Sequence, residues 1–185
     1  MHDKIYQMIR QSSMKNLQKI VEEGRRMLAP KNPILVSDWA EQNRILSETS
    51  MEPGRWRTDR APHTREIMNC VNDPRVRQIT VWGSSQIGKT ELMNNIIGYL
   101  MDVDPCGIMV MQPTDKDARD YSQQKLEPMI QDTPCLRDKV AKKKSRSADN
   151  AILKKKFMGG FLIIVSGNST SSTRGRTARV TLGDE

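Results

Sequence analysis

Aromatic side chains are scarce in this chain, at 4% of its residues, with two Phe, three Tyr and three Trp. A packed interior must therefore be assembled from Ile, Leu, Val and an unusually large set of 12 Met. Cysteine is nearly as sparse. Cys70, Cys106 and Cys135 are odd in number, far apart and without a C-x-x-C pair or a nearby His, which excludes a disulfide framework and a structural zinc site and suits a reducing compartment. The two histidines, His2 and His63, stand isolated in sequence, so neither a metal cluster nor a nucleophilic triad follows from them. No stretch approaches the roughly 18 apolar residues of a membrane helix, and the first residues carry Asp3, Lys4, Arg10 and Lys15 with no apolar run of signal-peptide length. A soluble, intracellular chain is expected, with no membrane partner. Internal repeats and long low-complexity tracts are absent as well.

What is present begins with charge. A net charge of +8 and a pI near 9.6 favour an anionic partner such as nucleic acid. A length of 185 residues suffices for one domain with a sizeable core and is short for two. The most informative segment is Gly83-Ser84-Ser85-Gln86-Ile87-Gly88-Lys89-Thr90, which fits G-x-x-x-x-G-K-[ST]. Gly83 and Gly88 let the backbone turn tightly around an anion, so that successive N–H groups and the positive end of the following helix face phosphate oxygens. Lys89 adds a point charge for the β- and γ-phosphates, and the Thr90 hydroxyl suits the shell of a Mg²⁺ ion. Context supports a cradle for the phosphates of a nucleotide. Gln78-Ile79-Thr80-Val81-Trp82 reads as a β-strand ending at the loop, and Leu92, Met93, Ile96, Ile97, Leu100 and Met101 recur at helical spacing after it.

Along the chain, residues 1–50 read as a helical, polar region, either an arm for a partner or a lid on the core, and Ser37 reads as the cap of a helix there. Residues 51–185 read as a nucleotide-binding domain. Asp104-Pro105-Cys106-Gly107 is a turn and Ile108–Met111 a buried strand; Thr114 with Asp117 starts a helix that Pro128 should kink or divide. Phe157–Val165 reads as a hairpin turning at Gly159-Gly160. Strands alternating with helices predict a largely parallel sheet with helices on both faces. The strand Val180–Gly183 ends at Asp184-Glu185, the acidic pair such a site requires: Asp184 to hold Mg²⁺ and Glu185 to orient and deprotonate the attacking water. Lys142, Lys143, Lys144 and Arg146, with Lys154, Lys155 and Lys156, are either DNA-phosphate contacts or a solvated edge. Arg174 and Arg176 either sense nucleotide or DNA, or are loop surface. For Trp56 and Trp82 packing is expected rather than base stacking.

The ordered set Gly54-Arg55-Trp56-Arg57, Ala61 to Met68, Gly83 to Thr90, Met111 to Thr114, Leu126 to Ile130, Gly167-Asn168-Ser169, Arg174-Gly175 and Asp184-Glu185 resembles the large subunit of tailed-phage terminases, in the lambda-like GpA group. The resemblance implies a P-loop NTPase domain of the ASCE type and a motor that uses ATP and Mg²⁺ to drive double-stranded DNA into a procapsid. It implies an oligomer docked on the portal protein, a small-subunit partner bound through the N-terminal region, and residence in the host cytoplasm. Relatives also carry a C-terminal endonuclease. By this likeness Lys89 and Thr90 are phosphate and Mg²⁺ ligands, and Asp184 and Glu185 the acidic motif. Two positions depart from the pattern: Thr64 stands where many relatives place Gln in an adenine-contacting segment, and Ser85 where some place Arg. The family would continue past Glu185 with another strand of the same sheet. The chain is accordingly expected to be a fragment, incomplete at its C-terminus and inactive or weakly active by itself. Alternatives are a helicase-like ATPase and a DNA-binding assembly module with a vestigial phosphate loop.

Overall fold

The computed structural model describes residues 14, 16–18, 20, 21, 24, 34–48, 50–140, 152–168 and 177–184. The chain divides into two compact units, Met1–Asn32 and Pro33–Glu185. In the first, the described residues between 14 and 24 have helical backbone. The second carries the rest of the architecture.

That unit opens with helix α1 (Val36–Asn43), then the short antiparallel pair β1 (Ile45–Leu46) and β2 (Gly54–Arg55). Ser37 does not cap α1. It lies inside the helix, buried, and Leu35 occupies the cap position without a side-chain bond. The open amides are satisfied from elsewhere: Val36 N–H donates to Asn72 Oδ1 at 3.0 Å and Ser37 N–H to Asn69 Oδ1 at 3.2 Å. Asn69 belongs to helix α2 (His63–Cys70) and Asn72 follows it, so a tertiary neighbour supplies the cap that the local sequence seemed to offer.

Helix α3 (Lys89–Asp102) is the spine of the unit, buried at every position from Leu92 to Met101. A helix covered all round sits in a core rather than on its edge. Gly98 lets it approach α1 closely, since a Cβ there would stand 2.3 Å from Trp39 Cη2. Trp39, 1% exposed, packs edge-on against Tyr99 and donates its indole N–H to Asp102 Oδ2 at 2.7 Å. The shortage of aromatics is thus met by placing one tryptophan at the helix crossing, with Met68, Met93, Met101 and Met129 among the aliphatic side chains that fill the remaining interior.

The main sheet has the order β4-β5-β3-β6. Strand β3 (Gly107–Gln112) pairs in parallel with both β5 (Gly160–Ser166) and β6 (Val180–Gly183), while β4 (Lys154–Phe157) runs antiparallel to β5. The sheet is largely parallel, as expected for alternating strands and helices. The β4–β5 turn is Met158-Gly159, one residue earlier than expected, with Gly159 at φ +82°. Thr114 does cap helix α4 (Asp115–Tyr121), accepting from Asp117 N–H at 3.1 Å. Ahead of Pro128, which has no N–H to give, the helix widens into a π segment at Ser122–Leu126 before α5 (Glu127–Asp132) and α6 (Pro134–Arg137).

One expected strand is missing. Gln78–Trp82 has no strand assignment, Gln78 to Thr80 are exposed, and Trp82 is 99% exposed. No described strand lies beside it. A β-segment acquires its ladder only from a neighbour, and the described sheet ends at β6.

Candidate functional site

The glycine-rich octapeptide is bent as its sequence demands. Gln86 and Gly88 both adopt left-handed backbone, at φ +63° and +88°, on either side of Ile87. Gly88 tolerates this freely, whereas for Gln86 it is a conformation held by surroundings. Gly83 permits a close approach, because a Cβ there would lie 2.2 Å from Ile87 Cδ1. Gly88 is the N-cap of α3 and makes no side-chain cap bond, so the first-turn amides of a 14-residue helix lie at the loop. Lys89 folds back over the bend and donates to the Gly83 carbonyl at 3.2 Å.

The acidic strand end comes to the same place. Thr90 Oγ1 lies 3.5 Å from Asp184 Oδ2, and Asp184 N–H extends the β6–β3 ladder by donating to the Met111 carbonyl at 3.1 Å. Thr90 and Asp184, remote in sequence, therefore stand together at the start of α3 and the carboxyl end of the sheet, where ligands of open α/β proteins bind. Gln112, next along β3 after the last paired rung Met111–Gly183, is 6% exposed, and its Nε2 has no acceptor among the described residues. A hydroxyl and a carboxylate form a hard-oxygen environment that fits Mg²⁺ retaining much of its water. No group of three or more His, Cys, Asp or Glu able to hold a metal is found among the described residues.

A buried polar chain backs this corner. Tyr121 O–H donates to Asn94 Oδ1 at 2.8 Å, and Glu91 pairs with the Arg44 guanidinium at 2.7 Å. Arg44, 2% exposed, also donates to the Ile45 carbonyl. Burial lowers the Arg44 pKa, opposed by the Glu91 charge, and burial with the charges of Glu91 and Asp184 raises that of the Tyr121 phenol. Charge near the loop is thus compensated by the segment preceding β1, a contribution the sequence did not signal.

Beside the loop lies a cavity of about 390 Å³, lined by His63, Thr64 and Ile67 of α2, by Val81 and Trp82, and by the loop with Leu92. His63 is brought to the site despite its isolation in sequence: its Nε2 is 3.0 Å from the Ile87 carbonyl. Thr64, 1% exposed, donates its hydroxyl to the Ala61 carbonyl at 2.7 Å. Trp82 is not packed, contrary to expectation, whereas Trp56 is, at 7% exposure with its indole N–H on Thr58. Lys155 is 1% exposed and bound to Glu127 at 2.6 Å, which removes it from any DNA-contacting set. Glu185, Arg174, Arg176, Lys142, Lys143, Lys144 and Arg146 lie outside the described residues.

A glycine-rich G-x-x-x-x-G-K-T bend leading into a buried helix beside a parallel sheet defines the class of phosphate-loop α/β proteins. Within that class the chain belongs to the family described as phage terminase large subunit gpA, ATPase domain, whose model matches residues 50–185. Among curated proteins it is similar to the large terminase subunit of Escherichia phage lambda, 28% identical over 153 residues, covering 82% of this chain and 24% of that protein. It is similar also to the large terminase subunit of Enterobacteria phage P21, 29% identical over 129 residues, covering 69% of this chain and 20% of that protein. The chain thus spans about a quarter or less of the length of these relatives. No solved structure matches it. Among the described residues no helix is long and apolar enough to cross a membrane.

Proposed function

We propose that residues 83–90 bind the triphosphate of ATP and that the site supports its hydrolysis, coupled in the whole protein to packaging of double-stranded DNA into a procapsid. The approach of Thr90 to Asp184 across the start of α3 carries the reading, because it assembles two halves of a phosphate site that are remote in sequence. The loop amides and the α3 N-terminus would take the phosphate oxygens. The Lys89 ammonium would exchange the Gly83 carbonyl for the β- and γ-phosphates, and Glu185 would orient and deprotonate the attacking water. Mg²⁺, held by Thr90 and Asp184, would neutralise charge developing on the phosphates.

The finer fold reading is the ASCE arrangement, in which one strand lies between the phosphate-loop strand and the acidic strand. Such a strand would pair with the second edge of β6 and with Gln78–Trp82, which has no ladder among the described residues. Partners of the whole protein are proposed from the family and the named relatives: a small terminase subunit, the portal of the procapsid, and further copies of the large subunit. Residues 1–50 would form the partner-binding region and residues 51–185 the ATPase portion, in the host cytoplasm. Titration with Mg·ATP tests the central claim. Lys89→Ala should weaken binding by about ten- to a hundredfold, the worth of a hydrogen bond to a charged group; equal affinity in the two proteins would eliminate the site.

A further inference from the structure

His63 is tied to the phosphate loop across 24 positions of sequence by one contact, Nε2 to the Ile87 carbonyl at 3.0 Å. A carbonyl only accepts, so the imidazole carries its proton on Nε2 and donates. The position of that carbonyl is what gives the contact meaning. Ile87 lies between the two left-handed residues, Gln86 at φ +63° and Gly88 at φ +88°, and the first of these is not glycine. Left-handed backbone at such a residue persists where neighbours hold it. Two holds are visible. Lys89 closes the loop from inside through the Gly83 carbonyl, a bond that competes with any phosphate for the ammonium. His63 supplies the second hold, on the Ile87 carbonyl between the two left-handed residues, through a neutral donor distinct from the Lys89 ammonium. The same ring lines the 390 Å³ cavity with Thr64 and Ile67 of α2, so the contact also sets the gap between α2 and the loop.

We propose that His63 is a positioning residue for nucleotide binding: by donating to Ile87 it keeps the phosphate loop in its bent form before the ligand arrives and fixes the width of the adjoining cavity. The inference rests on the nucleotide reading of residues 83–90. Its chemistry requires an N–H at the ring's Nε2 and nothing else of the imidazole. Glutamine places an amide N–H at similar reach, so it substitutes for the histidine, whereas alanine does not.

The test is binding of a fluorescent Mg·ATP analogue by the 185-residue chain, in wild type, His63→Ala, His63→Gln and Lys89→Ala. His63→Ala is expected to weaken affinity about three- to tenfold, the range for one neutral hydrogen bond, with His63→Gln returning it to within about twofold of wild type. Thermal midpoints should coincide for the His63 variants, since the side chain is exposed. If Lys89→Ala weakens binding by about ten- to a hundredfold while His63→Ala binds like wild type, the His63 role is overturned and the nucleotide site stands. If His63→Gln is as weak as His63→Ala, the hydrogen bond is not the agent and the proposal fails. If Lys89→Ala binds as wild type, the nucleotide reading falls, and the role of His63 with it.

Discussion

Ile108–Met111 and Gln78–Trp82 are both short, β-rich and followed by a turn, yet only the first lies within a strand. Strand β3 is bonded on both sides, to β5 and β6, and Ile108 and Val110 are fully buried. Gln78–Trp82 has no ladder and ends in a tryptophan at 99% exposure. The difference is one of neighbours, since β-propensity measures how well a side chain fits a paired, covered surface rather than what the backbone does alone. It also gives the site an asymmetry. Asp184 follows a paired strand, whereas the glycine-rich loop of the proposed phosphate site is anchored chiefly through α3 behind it and His63 beside it.

Hydrogen exchange breaks this comparison most directly. Amides of residues 79–82 should exchange with little protection, and those of 108–111 at least about a thousandfold more slowly, the gap between locally open and core segments; matching protection would mean that the two segments are equally paired. A smaller but calorimetrically large contrast comes from the two tryptophans. Trp39→Ala removes the ring wedged against Gly98 and Tyr99 and should cost about 3–5 kcal/mol in denaturant unfolding, whereas Trp82→Ala should stay within about 0.5 kcal/mol. A loss of several kcal/mol at Trp82 would place that side chain in a core. Lys155 sharpens the picture on the sheet's far edge. Lys155→Ala takes the ammonium from Glu127 in a mostly covered setting and should cost about 2 kcal/mol, with the double variant Lys155→Met, Glu127→Leu recovering most of it. Were Lys155 a DNA contact instead, its removal would leave stability untouched and weaken DNA binding at low salt.

Much of the site was legible because its requirements are local. A glycine at a left-handed position, a lysine and a threonine after it, and a helical apolar period can all be read from adjacent residues, as can Thr114 capping α4. The unreadable parts are those settled by remote partners. Ser37 looked like a cap but is buried within α1, since Asn69 and Asn72 reach its first amides. His63 looked isolated because its partner, Ile87, is 24 positions away, and Arg44 gave no sign of its ion pair with Glu91. The lysine run at 154–156 reads as one basic patch, yet strand alternation turns Lys155 inward.

By itself, the sequence determined that a tight glycine-rich bend would exist, that a helix would follow it, and that an acidic strand end would be available, because these depend on backbone freedom and side-chain chemistry within a few residues. Only the tertiary structure decided which β-rich segment became a strand, which residues capped α1, and that Thr90, Asp184 and His63 would meet around one bend. Those outcomes depend on hydrogen bonds and burial supplied by groups distant along the chain, and such pairing leaves no periodic trace in the residues it joins.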